Sequence, residues 1–324
     1  MDIETLTWRP LTIEDAPALT RSWAAIEAVD RRGEHYSEQD LRDVLEDESI
    51  DLGRDTLAAV APDGELVAFV WVQGPAEVID VDWLEVDGAV LPVARGRGLG
   101  RRLLEWAEER AASLHRKRHP NAPAAVRVVV HENNPSKEAL VRAAGYEAAR
   151  WYHTMSRGLD DPLPNLPPTP PGLTLTPYTA DRDEAVRVAH VEAFADDWGA
   201  TPPDEQEWAR WYVTPTTFRP EVSWLVLDGE DVVGYLLTHF WEADAAATGV
   251  REAFVGDLGV RPVWRRRGLG GLLLATALRS YRAGGYVHAA LGVDSANATG
   301  ALGLYERAGF AVRDTWVTWL KPLG

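Results

Sequence analysis

Val260-Arg261-Pro262-Val263-Trp264-Arg265-Arg266-Arg267-Gly268-Leu269-Gly270 repeats, 170 positions later, the stretch Val90-Leu91-Pro92-Val93-Ala94-Arg95-Gly96-Arg97-Gly98-Leu99-Gly100. Val, Pro, Arg, Gly, Leu and Gly recur at the same offsets. Each copy follows an apolar, strand-like run and opens a helix-like one. Backbone N–H groups at a helix start favour anions, and the glycines keep side chains from holding a phosphate away. Both copies are therefore candidate phosphate cradles.

The rest of the chain duplicates around them. Each half opens with a short strand (6–10; 173–177), followed by an N-cap candidate and an amphipathic helix (15–29; 184–194). A more polar helical stretch comes next. Ser37-x-x-Asp40 reads as a capping box before 41–45, and Pro202-Pro203 precedes a helix over 205–212. Two strands then flank an Asp-Gly turn, Asp63-Gly64 or Asp228-Gly229. A fourth strand leads into the glycine loop. A helix, an apolar strand, an Asn-bearing turn (Asn133; Asn297), a short helix, a Gly-aromatic pair and a last strand close each half. Between the halves runs Asp160-Asp161-Pro162-Leu163-Pro164-Asn165-Leu166-Pro167-Pro168-Thr169-Pro170-Pro171-Gly172, whose proline density favours an extended, semi-rigid linker. The expected division is an N-terminal domain over 1–160, a Pro-rich linker over 161–171 and a C-terminal domain over 172–324. The fold class is α/β, two tandem domains that each carry a mixed, largely antiparallel sheet flanked by helices.

Composition narrows the chemistry. The 324 residues carry a formal net charge of −17, which argues against a general nucleic-acid binder. With no cysteine, disulfides, thiolate metal sites and a cysteine nucleophile are excluded. No metal site is expected. No apolar stretch reaches the roughly 18–20 residues of a membrane span, and the acidic start is unlike a signal peptide. The expectation is a cytoplasmic protein that binds neither nucleic acid nor membrane. Local basic clusters at the glycine loops, in an acidic chain, suit an anionic cofactor and a cationic substrate.

Three phosphate-loop types are candidates. A P-loop ends in Gly-Lys-Ser/Thr, which neither copy has. A dinucleotide fingerprint counted from Gly98 or Gly268 meets Leu103 or Leu273 where its third glycine belongs. The remaining pattern, Arg-x-x-Gly-x-Gly after a strand and a proline, resembles the acyl-CoA loop of the GNAT acetyltransferase superfamily. The resemblance extends to the Val-x-Pro, the Asn turn and the closing Leu304-Tyr305-Glu306-Arg307-Ala308-Gly309-Phe310. It covers nearly the whole chain twice, as in two-domain members of the mycothiol synthase-like type.

The resemblance implies an acetyl-CoA-dependent N-acetyltransferase that moves an acetyl group to an acceptor amine by direct attack in a ternary complex. The acceptor is a small-molecule or peptide amine. A non-catalytic acyl-CoA-binding sensor or regulatory module is the alternative. In the second copy, Arg265, Arg266, Arg267, Gly268, Leu269, Gly270 and Gly271 would hold the pyrophosphate of acetyl-CoA, with Asn297 at the pantetheine. Backbone N–H groups at Leu258 and Val260 would face the thioester. The first-copy equivalents are Val90, Arg95, Gly96, Arg97, Gly98, Gly100 and Arg101. Tyr305 stands where the superfamily has the acid that protonates the leaving thiolate, while the first half has Val141, which cannot donate a proton. Glu252 and Asp257, on the strand before the loop, are the candidate bases, with His239 as a third. Their first-half counterparts are Asp82 and Asp87. Trp198, Trp208, Trp211 and Trp241, four of fourteen tryptophans, lie where an aromatic acceptor wall would stand or where cores pack. The N-terminal copy is expected to be degenerate and the C-terminal one catalytic.

Overall fold

A computed structural model describes residues 3–297 and 300–323. The first repeat contributes β1 (Thr7–Arg9), α1 (Ala16–Asp30), α2 (Glu38–Leu45), α3 (Leu52–Asp55), β2 (Thr56–Val60), β3 (Leu66–Gln73), β4 (Asp82–Val90), α4 (Leu99–Arg118), β5 (Ala124–His131), α5 (Pro135–Ala143) and β6 (Glu147–Gly158). The second follows with β7 (Leu173–Pro177), α6 (Asp183–Phe194), α7 (Glu205–Trp208), β8 (Trp224–Asp228), β9 (Asp231–His239), α8 (Glu242–Thr248), β10 (Glu252–Val260), α9 (Leu269–Ala283), β11 (His288–Asp294), α10 (Ala301–Arg307) and β12 (Ala311–Pro322). The Ser37–Asp40 capping box forms, with Asp40 N–H donating to Ser37 Oγ and Ser37 N–H to the Asp40 carboxylate. Gly64 and Gly229 adopt φ of +87° and +59° in their Asp-Gly turns, a region where only glycine is unstrained. The helix expected over 205–212 keeps one α-turn and then widens into a π-type turn over Ala209–Val213. Among the described residues, no helix is long and apolar enough to cross a membrane.

The chain divides into two compact units. One comprises Met1–Trp151 with Trp316–Gly324; the other is Tyr152–Thr315. In the first, β1, β2, β3 and β4 pair antiparallel in sequence, β4 pairs β5 in parallel, and residues 316–322 of β12 close the sheet against β5. In the second, β7, β8, β9 and β10 pair antiparallel, β10 pairs β11 in parallel, and residues 152–158 of β6 pair with β11. The strand that ends each repeat in sequence thus completes the sheet of the other unit. This differs from the expected division at 160 and 172. Alternation marks a segment as a strand without naming the edge it will join, and duplicated sheets offer two equivalent edges, the condition for exchange.

The proline stretch is also bound rather than free. Arg282 donates to Leu159 O and Asp161 O (both 2.6 Å), and Arg279 donates to Pro164 O (2.7 Å). Arg157, buried under the end of α10, donates to Pro162 O (3.2 Å) and Ala308 O.

Packing follows the amphipathic faces. Helix α9 buries Leu269, Leu272, Leu273, Ala277, Leu278 and Tyr281 in the core of the second unit, and α1 and α4 bury their apolar faces in the first. The exchanged strand is integral to the first core: Trp319 is 4% exposed, and Lys321 pairs with Glu108 at 2.8 Å. A chain ending at residue 315 is expected to destabilise the first unit by about 3–5 kcal/mol, the usual loss for a buried Trp. Hydrogen exchange should then quicken in β2–β5 while β8–β10 stay protected.

Candidate active site

The two glycine loops share one backbone path. After a proline-started turn, Gly98 and Gly268 take φ of +85° and +80° and launch α4 and α9. Gly96 sits at φ +72°, and its counterpart Arg266 takes φ +62°, one of only two non-glycine residues in that region among those described. A non-glycine residue there is strained and costs on the order of 1 kcal/mol. The alternation of such residues with right-handed ones turns successive N–H groups to one side. An added Cβ at Gly268 or Gly98 would meet nothing within 4 Å, so these glycines serve the backbone path and not packing. Gly268→Ala is therefore expected to weaken CoA binding about tenfold through the loop's dihedrals, with little change in core stability. Isothermal titration against a melting curve separates the two effects.

The loop arginines divide by role. Arg265 turns inward, its Nη2 donating to Ala193 O at 2.7 Å, and Arg95 does the same, bidentate on Asp30 at 2.6 and 2.8 Å. Each braces its loop against the first long helix of its repeat, α6 or α1. Arg267 lies over Trp264 at 4.5 Å, and Arg101 is an exposed partner of Glu105.

Next to each loop the sheet splays. Strand β10 pairs β11 only as far as Val255↔Leu291, and β4 pairs β5 only as far as Glu85↔Arg127. Arg261 N–H donates to Val233 O on β9, and Leu91 N–H donates to Val67 O on β3. Backbone direction alternates along a strand. The N–H groups of Leu258 and Val260, like those of Gly88 and Val90, therefore point into the splay. The Gly88 N–H is taken by the Asp87 carboxylate (2.8 Å), and backbone donors left open in a splay accept an extended ligand arm as an added strand.

In the second unit a bulge between Val255 and Asp257 re-aims the strand at Gly256. A Cβ there would lie 2.7 Å from the His239 ring, and one at Gly259 would lie 2.3 Å from the Tyr235 ring. Asp257 emerges from this bulge with its Oδ1 3.9 Å from His190 Nδ1, which shares a 2.7 Å hydrogen bond with Tyr235 Oη. Burial pushes the Asp257 carboxyl up to about 7 and the His190 imidazole down to about 4. A base of near-neutral affinity therefore sits beside a neutral histidine. The Tyr305 hydroxyl is buried, and burial, then the Asp257 and Asp197 charges, hold it well above the usual phenol range. It stays protonated at neutral pH, as an acid must.

The other expected residues fall elsewhere. Glu252 lies five residues before Asp257, roughly 16 Å along the strand, and is held by Arg313 at 2.8 and 2.9 Å. His239 is buried against Thr217 Oγ1 (3.0 Å), with burial pushing it down to about 4. The tryptophans form no single wall: Trp208 is buried and bonded to Asp183, Trp211 is exposed, and Trp241 packs edge-on to Phe254. The aromatic enclosure that does form surrounds His190, with Phe194 stacked at 4.7 Å, Tyr212 at 4.8 Å and Trp208 at 5.2 Å. Sequence reasoning missed His190, Tyr235 and Tyr212. Glycines inside a strand, at 256 and 259, were the available signal. Asn297 N–H bonds Asp294 O within its turn. In the first half Asn134, one place beyond Asn133, caps α5 through Lys137 N–H and bonds Asp30.

The first unit carries a cavity of about 280 Å³ on its loop, running between Gly98, Val90, Asn134, Lys137 and Val141. Lys137, which lines it, donates its Nζ to Asp87 (3.2 Å), and Asp87 also accepts from Gly88 N–H (2.8 Å). Burial acts to raise that carboxyl, yet Lys137, Arg32 and the Gly88 N–H together hold it below the usual carboxylate range. No bulge interrupts the β3–β4 register. The position of Asp257 is thus filled by an ion-paired carboxylate, one splay donor is engaged, and Val141 stands in place of Tyr305. Among the described residues no group of His, Cys, Asp and Glu could hold a metal.

A family model, the Acetyltransferase (GNAT) family, matches residues 20–146 and again 184–310. The chain belongs to the GNAT acetyltransferase family, in tandem form. Among curated relatives, the mycothiol acetyltransferase of Geodermatophilus obscurus is 31% identical over 277 residues, covering 83% of this chain and 82% of that protein. That of a Nocardioides species is 32% identical over 256 residues, 75% and 82% of the two chains. The solved structure of a GCN5-related N-acetyltransferase from Sphaerobacter thermophilus matches with a TM-score of 0.76 at 29% identity, covering 98% and 96%. A tandem GNAT protein from the clavulanic acid biosynthesis pathway shares the fold at 20% identity, with a TM-score of 0.70 and 98% and 99% covered.

Proposed function

We propose that the C-terminal copy transfers an acetyl group from acetyl-CoA to the amine of a small-molecule or peptide acceptor, and that the N-terminal copy holds acyl-CoA without turning over an external acceptor. The observation that carries this reading is the asymmetry at equivalent positions. Asp257 and Tyr305 meet the needs of base and acid, whereas Asp87 is ion-paired and Val141 is inert. Bound acetyl-CoA supplies the activated thioester. The amides of 265–271 suit its pyrophosphate, and the N–H groups of Leu258 and Val260 suit its pantetheine arm and the negative charge that develops on the thioester oxygen. Asp257 takes the proton of the acceptor ammonium, and Tyr305 gives its proton to the departing sulfur.

Thiol release from acetyl-CoA across a panel of amines, aminoglycosides and peptides tests the reading, beginning with the amine acetylated by the mycothiol acetyltransferases to which the chain is similar. Acceptor-dependent thiol release that Gly268→Ala weakens and Gly98→Ala spares supports it. Release lost equally in both variants overturns the division between copies.

A further inference from the structure

The chain has thirty arginines and only three lysines, Lys117, Lys137 and Lys321. Lys117 is exposed near the end of α4, and Lys321 pairs with Glu108. Lys137 alone faces the cavity of the first unit, its Nζ 3.2 Å from Asp87, where the second unit has Ala301. Among the described residues, arginine makes most of the other ion pairs, with histidine in two. A guanidinium stays charged and is no nucleophile, while an ε-amine is one once it loses a proton.

We propose that Lys137 is the acceptor of the first unit: an acyl group carried by CoA on the loop 95–100 is transferred once to its Nζ. The inference rests on the reading that this loop holds acyl-CoA. An arm laid along Gly88 and Val90 from that loop ends at the Asp87–Lys137 pair. The ε-ammonium gives a proton to water while the ionised Asp87 keeps the nitrogen in place, and the nitrogen lone pair forms the N–C bond at the thioester carbon. The Val90 N–H faces the developing oxyanion. The C–S bond breaks with its electron pair on sulfur, and the second amine proton goes to that thiolate. The products are an N-acyl-lysine and free CoA. A thiol of pKa about 8.5 leaves without a dedicated acid, so Val141 slows this step without forbidding it. The acylated side chain then fills the inner cavity, and the reaction stops after one turnover.

The test uses the full-length protein. It is incubated with acetyl-CoA, acetylation at the three lysines is read by peptide mass spectrometry, and bound CoA per chain is read by equilibrium dialysis. Holding the amine beside the thioester should favour Lys137 over Lys117 and Lys321 by more than about tenfold. CoA capacity should fall from two to one as Lys137 is modified. Lys137→Arg should keep two CoA and take no acetyl group, and Gly98→Ala, strained at φ +85°, should slow the modification. Two CoA per chain with Lys137 unmodified overturns this inference and leaves acyl-CoA holding intact. One CoA per chain from the start overturns both. Acetylation undiminished in Gly98→Ala marks solution chemistry and also overturns it.

Discussion

Replacing Tyr305 with phenylalanine is expected to lower kcat for acetyl transfer by about 10²-fold, the usual contribution of a positioned general acid, while the affinity for CoA stays unchanged. The ring keeps its edge-on contact with Phe310 (centroids 6.2 Å apart), so the core near α10 is preserved. The removed hydroxyl touches only the transition state, and the loss therefore belongs in kcat and not in KM. Burial and the neighbouring carboxylates keep the hydroxyl protonated well into the alkaline range. The wild-type pH profile should accordingly show no descending limb near neutrality. Stopped-flow thiol release with saturating acetyl-CoA reads kcat directly. A kcat within twofold of wild type would remove Tyr305 from the reaction.

The same mutation in reverse shows why one residue does not make a site. Tyrosine at Val141 would restore an acid to the first unit, but Asp87 there is held by Lys137 and by the Gly88 N–H. Val141→Tyr should leave that unit without turnover toward external amines. On the proposed division, Val141, an ion-paired Asp87 and an engaged Gly88 N–H at the three matched positions suit a copy that binds without repeated turnover, with the loop and cavity kept.

Much of this was legible in the sequence because it is local. The glycine-arginine loop, the Asp-Gly turns, the Ser37 capping box and the paired order of strands and helices are written in short stretches, and duplication let each half check the other. Tyr305 against Val141 was legible for the same reason. Three features were not. The exchange of β6 and β12 is a choice between equivalent edges that no alternation pattern encodes. That Asp257 and not Glu252 lies beside His190 depends on a one-residue bulge, which reverses the facing of everything beyond it. His190, Tyr235 and Asp257 come from α6, β9 and β10, between 22 and 67 positions apart in the chain, and only the packed sheet brings them together.

Asp257→Asn is the stronger test because it moves activity and stability in opposite directions. A base must be ionised to accept a proton, so wild-type kcat/KM should rise about tenfold per pH unit and level off near pH 7, where burial places this carboxyl. Asparagine cannot accept the proton, and at pH 8 the variant should lose about 10²–10³-fold in kcat/KM and with it the acidic limb of the profile. Stability runs the other way. The native carboxyl is raised above its unfolded value of 3.8, so its contribution is fully present below that value and is lost as pH rises through about 7. Above pH 7 the native state carries a buried, ionised carboxylate 3.9 Å from a neutral imidazole. Removing that charge should stabilise the protein at pH 8 by roughly 2 kcal/mol, with a melting temperature higher by several degrees. At pH 4, where both side chains are largely neutral, the two melting curves should nearly coincide. A variant that is inactive but destabilised at pH 8 would mean that Asp257 is a structural anchor. One that is stabilised and fully active would pass the role of base to another group. The same groups that make Asp257 costly to ionise, the enclosure of His190, Tyr212 and Tyr235, hold its proton affinity near that of the solution in which it must work.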